Sequence, residues 1–259
     1  MSYRFCILLF QFILSCSVYA QSVSYSDKPS WVEDFEGSKV DESKWRYETH
    51  FDGKRNLTTD NNVRVHKGKL YLTLYKGHKW NKKMDVCLRI FSKAQYNMRY
   101  GKVVIRAKMP LKPGCWPALW IRPQRGLNEK VVPEIDLIEW ISCFNKNTFQ
   151  ANFHLWGEFD GKKGNHTQYP KKFTLKRGSL KRFHLYSAEW DPEKLIIKFD
   201  DQVVGTWWKK DYPVWPFDMP QEVCLQMSFG GWGASCSADD NVLPQSTVVD
   251  WVKYYKLKK

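Results

Sequence analysis

No two cysteines of this chain stand in C-x-x-C spacing, and only seven occur among its 259 residues. That pattern excludes a zinc ribbon and a disulfide-knitted miniprotein. The longest apolar stretch, Phe5 to Leu14 near the N-terminus, is shorter than the roughly 18 residues of a membrane-crossing helix. Internal repeats, low-complexity tracts and Pro/Gly/Ser-rich linkers are missing, so nothing indicates a solenoid or a string of modules. No segment carries a sustained helical period. Acidic residues are few beside basic ones, 27 against 41, which leaves a formal net charge of +14. Such an excess either solvates a lysine-rich surface or attracts an acidic partner. Nucleic acid is not expected as that partner, because no recognisable binding motif accompanies the charge.

The N-terminus reads as an export signal over residues 1–20. Arg4 supplies a weak positive end, an apolar run follows, and Val18-Tyr19-Ala20 offers a small-residue cleavage site. Ile13-Leu14-Ser15-Cys16 is faintly like a lipoprotein cleavage box, so anchoring through Cys16 is a weaker alternative. Secretion or a periplasmic location is expected. Residues 21–259 then form a single domain, ordinary in size for an all-β fold. Cys6 and Cys16 fall in the signal. Five cysteines remain, enough for one disulfide whose partners the sequence does not name.

Alternating runs point to strands. Val63–Val65 and Lys69–Tyr75 flank His66-Lys67-Gly68 as a hairpin. Leu195–Phe199 and Val203–Trp208 flank Asp200-Asp201-Gln202 in the same way. Further strands are expected at Gly101–Met109, Ala118–Ile121, Glu134–Ile141, Phe149–Trp156, Phe183–Trp190, Glu222–Phe229 and Val248–Leu257. Many strands separated by turns, with no helical segment, predict a sandwich of two curved sheets. A concave outer face would suit an extended polymer.

One of these strands has an unusual composition. Pro133-Glu134-Ile135-Asp136-Leu137-Ile138-Glu139-Trp140 sets three carboxylates within six residues of an apolar run. Burying ionised carboxylates is costly, so stability alone is a poor reason for three. Strand alternation puts Glu134 and Asp136 on one face and Glu139 on the other. A β-bulge between them would return Glu139 to the same face, and bulges recur beside active sites. Two carboxylates roughly 5–5.5 Å apart are what a retaining glycosidase uses. The bland alternative is a salt-bridged strand edge. Thirteen tryptophans suit a sugar-binding surface, since rigid aromatic rings recognise well.

The chain resembles glycoside hydrolase family 16 along most of its length. The resemblance rests on Trp31-Val32-Glu33-Asp34-Phe35, Asn62-Val63-Arg64-Val65, Tyr100–Pro110, Trp116-Pro117-Ala118-Leu119-Trp120, the Glu134–Glu139 strand, Glu189-Trp190-Asp191-Pro192, Phe229-Gly230-Gly231-Trp232 and Val249-Asp250-Trp251. The E-x-D-x-x-E spacing is that of the laminarinase-like branch and is one residue longer than in xyloglucan transglycosylases. The resemblance implies a β-jelly-roll sandwich of two antiparallel sheets with a concave cleft. It implies Glu134 as nucleophile, Glu139 as acid/base and Asp136 as the helper between them. Trp116, Trp232 and His154 match cleft positions; Trp120 would share the face of Trp116 in a regular strand, with the core as an equal alternative, while Asn62 and Arg89 are candidates for sugar hydroxyls. Trp140 is expected in the core. Asp250 matches a position that helps hold a structural calcium in some members; no cofactor is expected for the reaction itself. Pro133, Trp140, Cys143 and Cys115 depart from the family pattern around the cleft, which bears on substrate more than on reaction.

The implied activity is endo-hydrolysis of a β-1,3- or mixed β-1,3/1,4-glucan by a monomer. A β-linked galactan (agar, porphyran, carrageenan or a host O-glycan) is the alternative substrate, and basic residues lining the cleft would favour it. A non-catalytic glucan-binding protein is the third reading. Retention of all three carboxylates argues against it.

Overall fold

A computed structural model describes residues 24–258 except 49–54, 57, 58, 60, 84, 125, 128 and 160, and only the backbone at 55, 56 and 94. The expected export signal and Cys16 lie outside the described residues. In chain order the strands are β1 (Trp31–Glu33), β2 (Trp45–Tyr47), β3 (Arg55–Asn56), β4 (Val63–Val65), β5 (Leu70–Leu74) and β6 (Asp85–Ser92). Then come β7 (Gly101–Lys108), β8 (Cys115–Pro123), β9 (Val131–Glu139), β10 (Thr148–Phe159), β11 (Lys162–Gln168) and β12 (Lys171–Thr174). The last are β13 (His184–Trp190), β14 (Lys194–Phe199), β15 (Gln202–Trp208), β16 (Gln221–Gly230) and β17 (Gln245–Lys256).

They form two sheets, as the alternation and the resemblance led us to expect. One runs β15-β14-β13-β7-β17-β5-β4, with β1 added on β17. The other runs β11-β10-β9-β8-β16-β6-β2, with β12 added on β10 and β3 on β6. Every pairing is antiparallel except β3 with β6. The core lies between the sheets. Val103, Ile105 and Ala107 of β7 face Ile135, Leu137 and Phe153 of the other layer, all fully buried. Burial of such side chains contributes about 25 cal/mol per Å2 and is the main stabilising force. Phe153 gathers Tyr169, Trp207, Tyr212, Trp215 and Phe217 within 4.5–6.1 Å, so much of the tryptophan excess is core. Trp140 is buried as expected, its indole N–H donating to the Asn145 carbonyl.

Local chemistry sets the turns. Asp200 and Asp201 both take positive φ, 45° and 66°, the backbone of a two-residue hairpin whose twist matches its strands. At Gly157 φ is 120°, and an added Cβ would stand 2.1 Å from the Lys130 carbonyl oxygen. That close approach fixes the point where β10 slips register against β11, next to Trp156.

Candidate active site

The three carboxylates stand on the outer face of the larger sheet because β9 is bulged. Asp136 lies opposite Asn152 of β10, and Glu139 opposite Gln150. Between these pairs, Leu137 and Ile138 together oppose the single residue Ala151. On the other side Trp120 pairs with Asp136 and Ala118 with Glu139, again with a shift between. Both bulge residues turn their side chains into the core, where each is fully buried. Glu139 therefore returns to the face of Glu134 and Asp136. Apolar burial of Leu137 and Ile138 holds the distortion in place.

Strands on both sides supply the surroundings. Trp116, Ala118 and Trp120 of β8, Gln226 of β16 and Arg89 of β6 line one side of a cavity of about 190 Å3, and Trp156 of β10 lines the other. The Trp116 indole N–H donates to Glu139 Oε1 at 3.2 Å, and the Gln150 amide reaches Oε2 at 3.5 Å. Burial, then the charges of Asp136 and Glu134, push the Glu139 carboxyl well above the usual range, partly opposed by His154. Asp136 is also pushed well up, by burial and by Glu134. Burial raises Glu134 too, but His154, Arg89, Arg122 and a hydrogen bond from Trp156 pull against it. Glu134 is thus the carboxylate best supplied with positive charge and donors, and Glu139 the one driven towards its protonated form.

His154 holds the centre. Its Nε2 lies 3.0 Å from Asp136 Oδ2 and 2.8 Å from the Asn152 amide nitrogen. Despite that proximity, Asp136 Oδ2 accepts no hydrogen bond from the ring. Asn152 is itself oriented, accepting from the Tyr169 N–H at 2.9 Å and donating to Gln168 Oε1 at 3.1 Å. His154 Nδ1 is 2.9 Å from His166 Nε2, and the His166 ring stacks on Trp156 with centroids 3.6 Å apart. Ligand-type atoms of Glu134, Asp136 and His154 fall within 4.8 Å of one another. Both His154 nitrogens already face other groups, and Arg89 stands beside the carboxylates, so this trio is poorly suited to a cation.

Of the residues singled out in the sequence, Trp116, Trp120, Arg89 and the three carboxylates line the cavity. Trp120 is on this face, buried with Phe91 and Ala118 apart from the core between the sheets, its indole N–H donating to Gln226 Oε1, which also accepts from Arg89 Nε at 2.7 Å. Trp232 packs edge-on to Trp116 at 5.4 Å and to Phe144 at 6.1 Å, an aromatic wall on the Glu139 side. Asn62 does not join the site. Its side chain bonds the Thr73 carbonyl and the Thr59 hydroxyl and fixes the turn before β4. Asp250 is a second correction. It sits at a bulge of β17, its oxygens taken by Arg106 and by Lys69 at 3.1 Å. A carboxylate between two cations does not fit a calcium site, which needs several oxygen ligands. Trp156, Gln226, Gln150, Asn152 and His166 belong to the site without standing out in the sequence. For Trp156 the signal was available, two residues beyond His154 and therefore on its face.

The Trp232 turn is clamped to the turn after β9. A disulfide joins Cys143 to Cys236, across 93 residues. The Ser142 hydroxyl donates to the Ser237 carbonyl at 2.8 Å. Gly231, at φ 53°, lies against Asp85 with only 3.0 Å left for a Cβ. Replacing both Cys143 and Cys236 with serine is expected to cost about 2–4 kcal/mol of stability. Without the clamp, KM should rise more than kcat falls. Thermal melts and steady-state kinetics check both. An unchanged KM would mean that the clamp has no part in placing Trp232.

A sequence profile for the family described as Glycosyl hydrolases family 16 matches residues 51–253. The chain is 27% identical over 252 residues to a beta-glucanase of Rhodothermus marinus, covering 87% of this chain and 84% of that protein. It is 31% identical over 174 residues to a keratan-sulfate endo-1,4-beta-galactosidase of Sphingobacterium multivorum, covering 64% of this chain and 39% of that protein. Its fold matches the crystal structure of the laminarinase from Rhodothermus marinus with a TM-score of 0.75 at 24% identity, covering 92% of this chain and all of that one.

Proposed function

Because the chain belongs to glycosyl hydrolase family 16, we propose that it is an exported, endo-acting, retaining hydrolase of a β-linked polysaccharide, with a β-1,3- or mixed β-1,3/1,4-glucan as substrate. The observation that carries this reading is the bulged strand, which gathers Glu134, Asp136 and Glu139 in an aromatic-lined cavity. The beta-glucanase relative supports the glucan. Residues 21–259 act as one catalytic domain behind the signal over 1–20. The Cys143–Cys236 disulfide suits an oxidising compartment.

The chemistry follows from the electrostatics. Glu134, ionised and supported by Arg89 and the Trp156 N–H, attacks the anomeric carbon as the bond to the leaving sugar breaks. Glu139 gives its proton to the departing oxygen. Trp116 and Trp232 offer that sugar an aromatic face. In the second step Glu139 takes a proton from water, the water oxygen bonds to the anomeric carbon, and the Glu134 carboxylate leaves. Asp136 couples the two residues, its charge raising Glu139 against the opposing pull of His154.

Asp136→Asn tests the coupling. Removing this charge lowers the pKa of Glu139, so the alkaline limb of the kcat/KM profile should move to lower pH. Stability has its own sign. A carboxyl with a raised folded pKa loses stability as pH rises, because the folded state then binds more protons than the unfolded one. Asp136→Asn should therefore melt higher than the parent at pH 7, by roughly 2–4 °C per kcal/mol relieved. The gap should close towards acid pH. A variant that melts lower at pH 7 would mean the Asp136 carboxylate holds the site together.

A second reading, a sulfated β-galactan, is favoured by the keratan-sulfate galactosidase relative and by Arg46, Arg89 and Arg122 on the cleft sheet. Arg46 and Arg122 are largely engaged by Glu222, at 2.5 and 2.8 Å, which leaves the glucan as the first reading. Incubation with laminarin, mixed-linkage glucan, agarose, carrageenan, keratan sulfate and mucin glycans separates the two. Oligosaccharides released from the glucans alone support the first, and from the galactans alone the second. Release from none, by a protein that still binds one, would overturn hydrolysis.

A further inference from the structure

The sheet facing away from the cleft carries a pocket of its own. It holds about 350 Å3 at the joined ends of β5, β7 and β17, close to the lower size of small-ligand sites. Lys108 of β7, Lys112 from the turn after β7 and Lys181 from the segment before β13 line it together with Tyr71 of β5. Ser246 and Gln245 add polar groups, and among the described residues no carboxylate lines the space. None of the three ammonium groups has a carboxylate within ion-pair distance among the described residues. The acid of this part of β17, Asp250, is held by Arg106 and Lys69 and does not neutralise them. Elsewhere on the same sheet lysines are matched: Lys102 and Lys198 share Glu189, at 3.3 and 2.8 Å. Lys108 meets the Phe183 ring at 5.5 Å, but three cations without a carboxylate partner around one concavity repel one another, an arrangement that a bound anion relieves.

A second hollow on this face continues the line. Tyr25, Trp251 and Tyr255 line it with Lys102 and Asp201, at the far end of β7. Lys108 and Lys102 are six residues apart on one strand and on one face, roughly 20 Å. Lys253 lies over the Trp251 ring at 4.4 Å. Anionic groups would meet the lysines at one end and sugar rings the aromatics at the other. We propose that the Lys108–Lys112–Lys181 pocket binds an anionic substituent, a sulfate ester or a carboxylate, of a polysaccharide. The sheet opposite the cleft then serves as a second polymer-holding surface. This rests on the glycanase reading only for the choice of a polysaccharide as the polymer.

Native gel electrophoresis of the full chain through dextran sulfate, polygalacturonate or plain dextran tests the site without using the cleft substrate. The protein should be retarded by a charged polymer and not by dextran, and which charged polymer acts distinguishes sulfate from carboxylate. Joint Lys108→Ala, Lys112→Ala and Lys181→Ala replacement should weaken that binding about tenfold, as loss of a few exposed ion pairs would. A control with Lys162→Ala, Lys163→Ala and Lys176→Ala removes equal charge and should bind within about twofold of the parent. Both variants should cleave a short neutral oligosaccharide at the parent rate. Equal weakening in the two variants would reduce the pocket to diffuse charge, and no retardation of the parent would dismiss it. Parental failure to cleave any oligosaccharide counts against the glycanase reading and leaves the binding result standing.

Discussion

Glu134→Gln should lower kcat/KM by roughly 10^4-fold, about 5.4 kcal/mol of transition-state stabilisation, with the fold and polymer binding intact. Glutamine keeps the shape and an acceptor for the Trp156 N–H but cannot form the glycosyl ester. The change also removes a part-buried carboxylate whose pKa burial raises, so thermal stability at neutral pH should hold or rise. The shortened Glu134→Ala variant leaves room beneath the anomeric carbon. Azide entering there attacks from the side opposite the leaving sugar and yields an α-glycosyl azide from an activated β-glycoside. Residual activity within about tenfold of the parent would show that Glu134 is not the group that bonds to sugar.

Glu139→Ala should have the second-largest effect, and its size should depend on the leaving group. For a polysaccharide the departing alkoxide needs a proton, so the loss should be about 10^2–10^4-fold. For an aryl glycoside whose phenolate leaves unaided, the first step should survive and the glycosyl-enzyme should accumulate as a burst. Azide needs no base, so it should restore turnover and give a β-glycosyl azide, the opposite anomer to that from Glu134→Ala. The parent's alkaline limb, set by the Glu139 carboxyl that burial and two neighbouring acids push upward, should disappear. An equal loss on both substrates with no azide rescue would remove Glu139 from the acid/base role.

Those two side chains could be picked out from sequence because their strand violates the usual economy of burial. Three carboxylates among isoleucines and leucines are costly enough to mark a site, and the return of Glu139 to the Glu134 face requires the bulge that Leu137 and Ile138 form. Hairpins with asparagine-, aspartate- or glycine-rich turns, such as Asp200-Asp201, were legible for the same local reason. Other elements lacked such a signal. Strand β6 is buried along its whole length, with Cys87, Arg89 and Phe91 towards the cleft side, so it shows no alternation of apolar and polar residues. Strand β11, Lys162–Gln168, contains no apolar side chain, and its sequence is indistinguishable from a solvated loop until β10 pairs with it. His166 was hidden for that reason, although it completes the run of rings from Trp156 to His154.

Asn62 and Asp250 show the limit of carrying positions over by resemblance. Asp250 stands at a matching position and Asn62 within a matching segment, yet local partners decide what each does. Thr59 and Thr73 hold Asn62, and Arg106 and Lys69 hold Asp250. Substrate choice is less legible still, because it depends on side chains from separate strands that meet only in the fold. Arg46, Arg122 and Glu222 come from β2, β8 and β16 and carry no joint signature in sequence.

Double displacement through Glu134 is tested most directly by the stereochemistry of the first product. Proton NMR of a β-glucan digest, recorded within the first minutes, reads the new reducing end before mutarotation. The β-anomer should appear first and the α-anomer grow in later. Initial release of the α-anomer would contradict double displacement, because a single displacement by water leaves no step in which Glu134 bonds to the sugar.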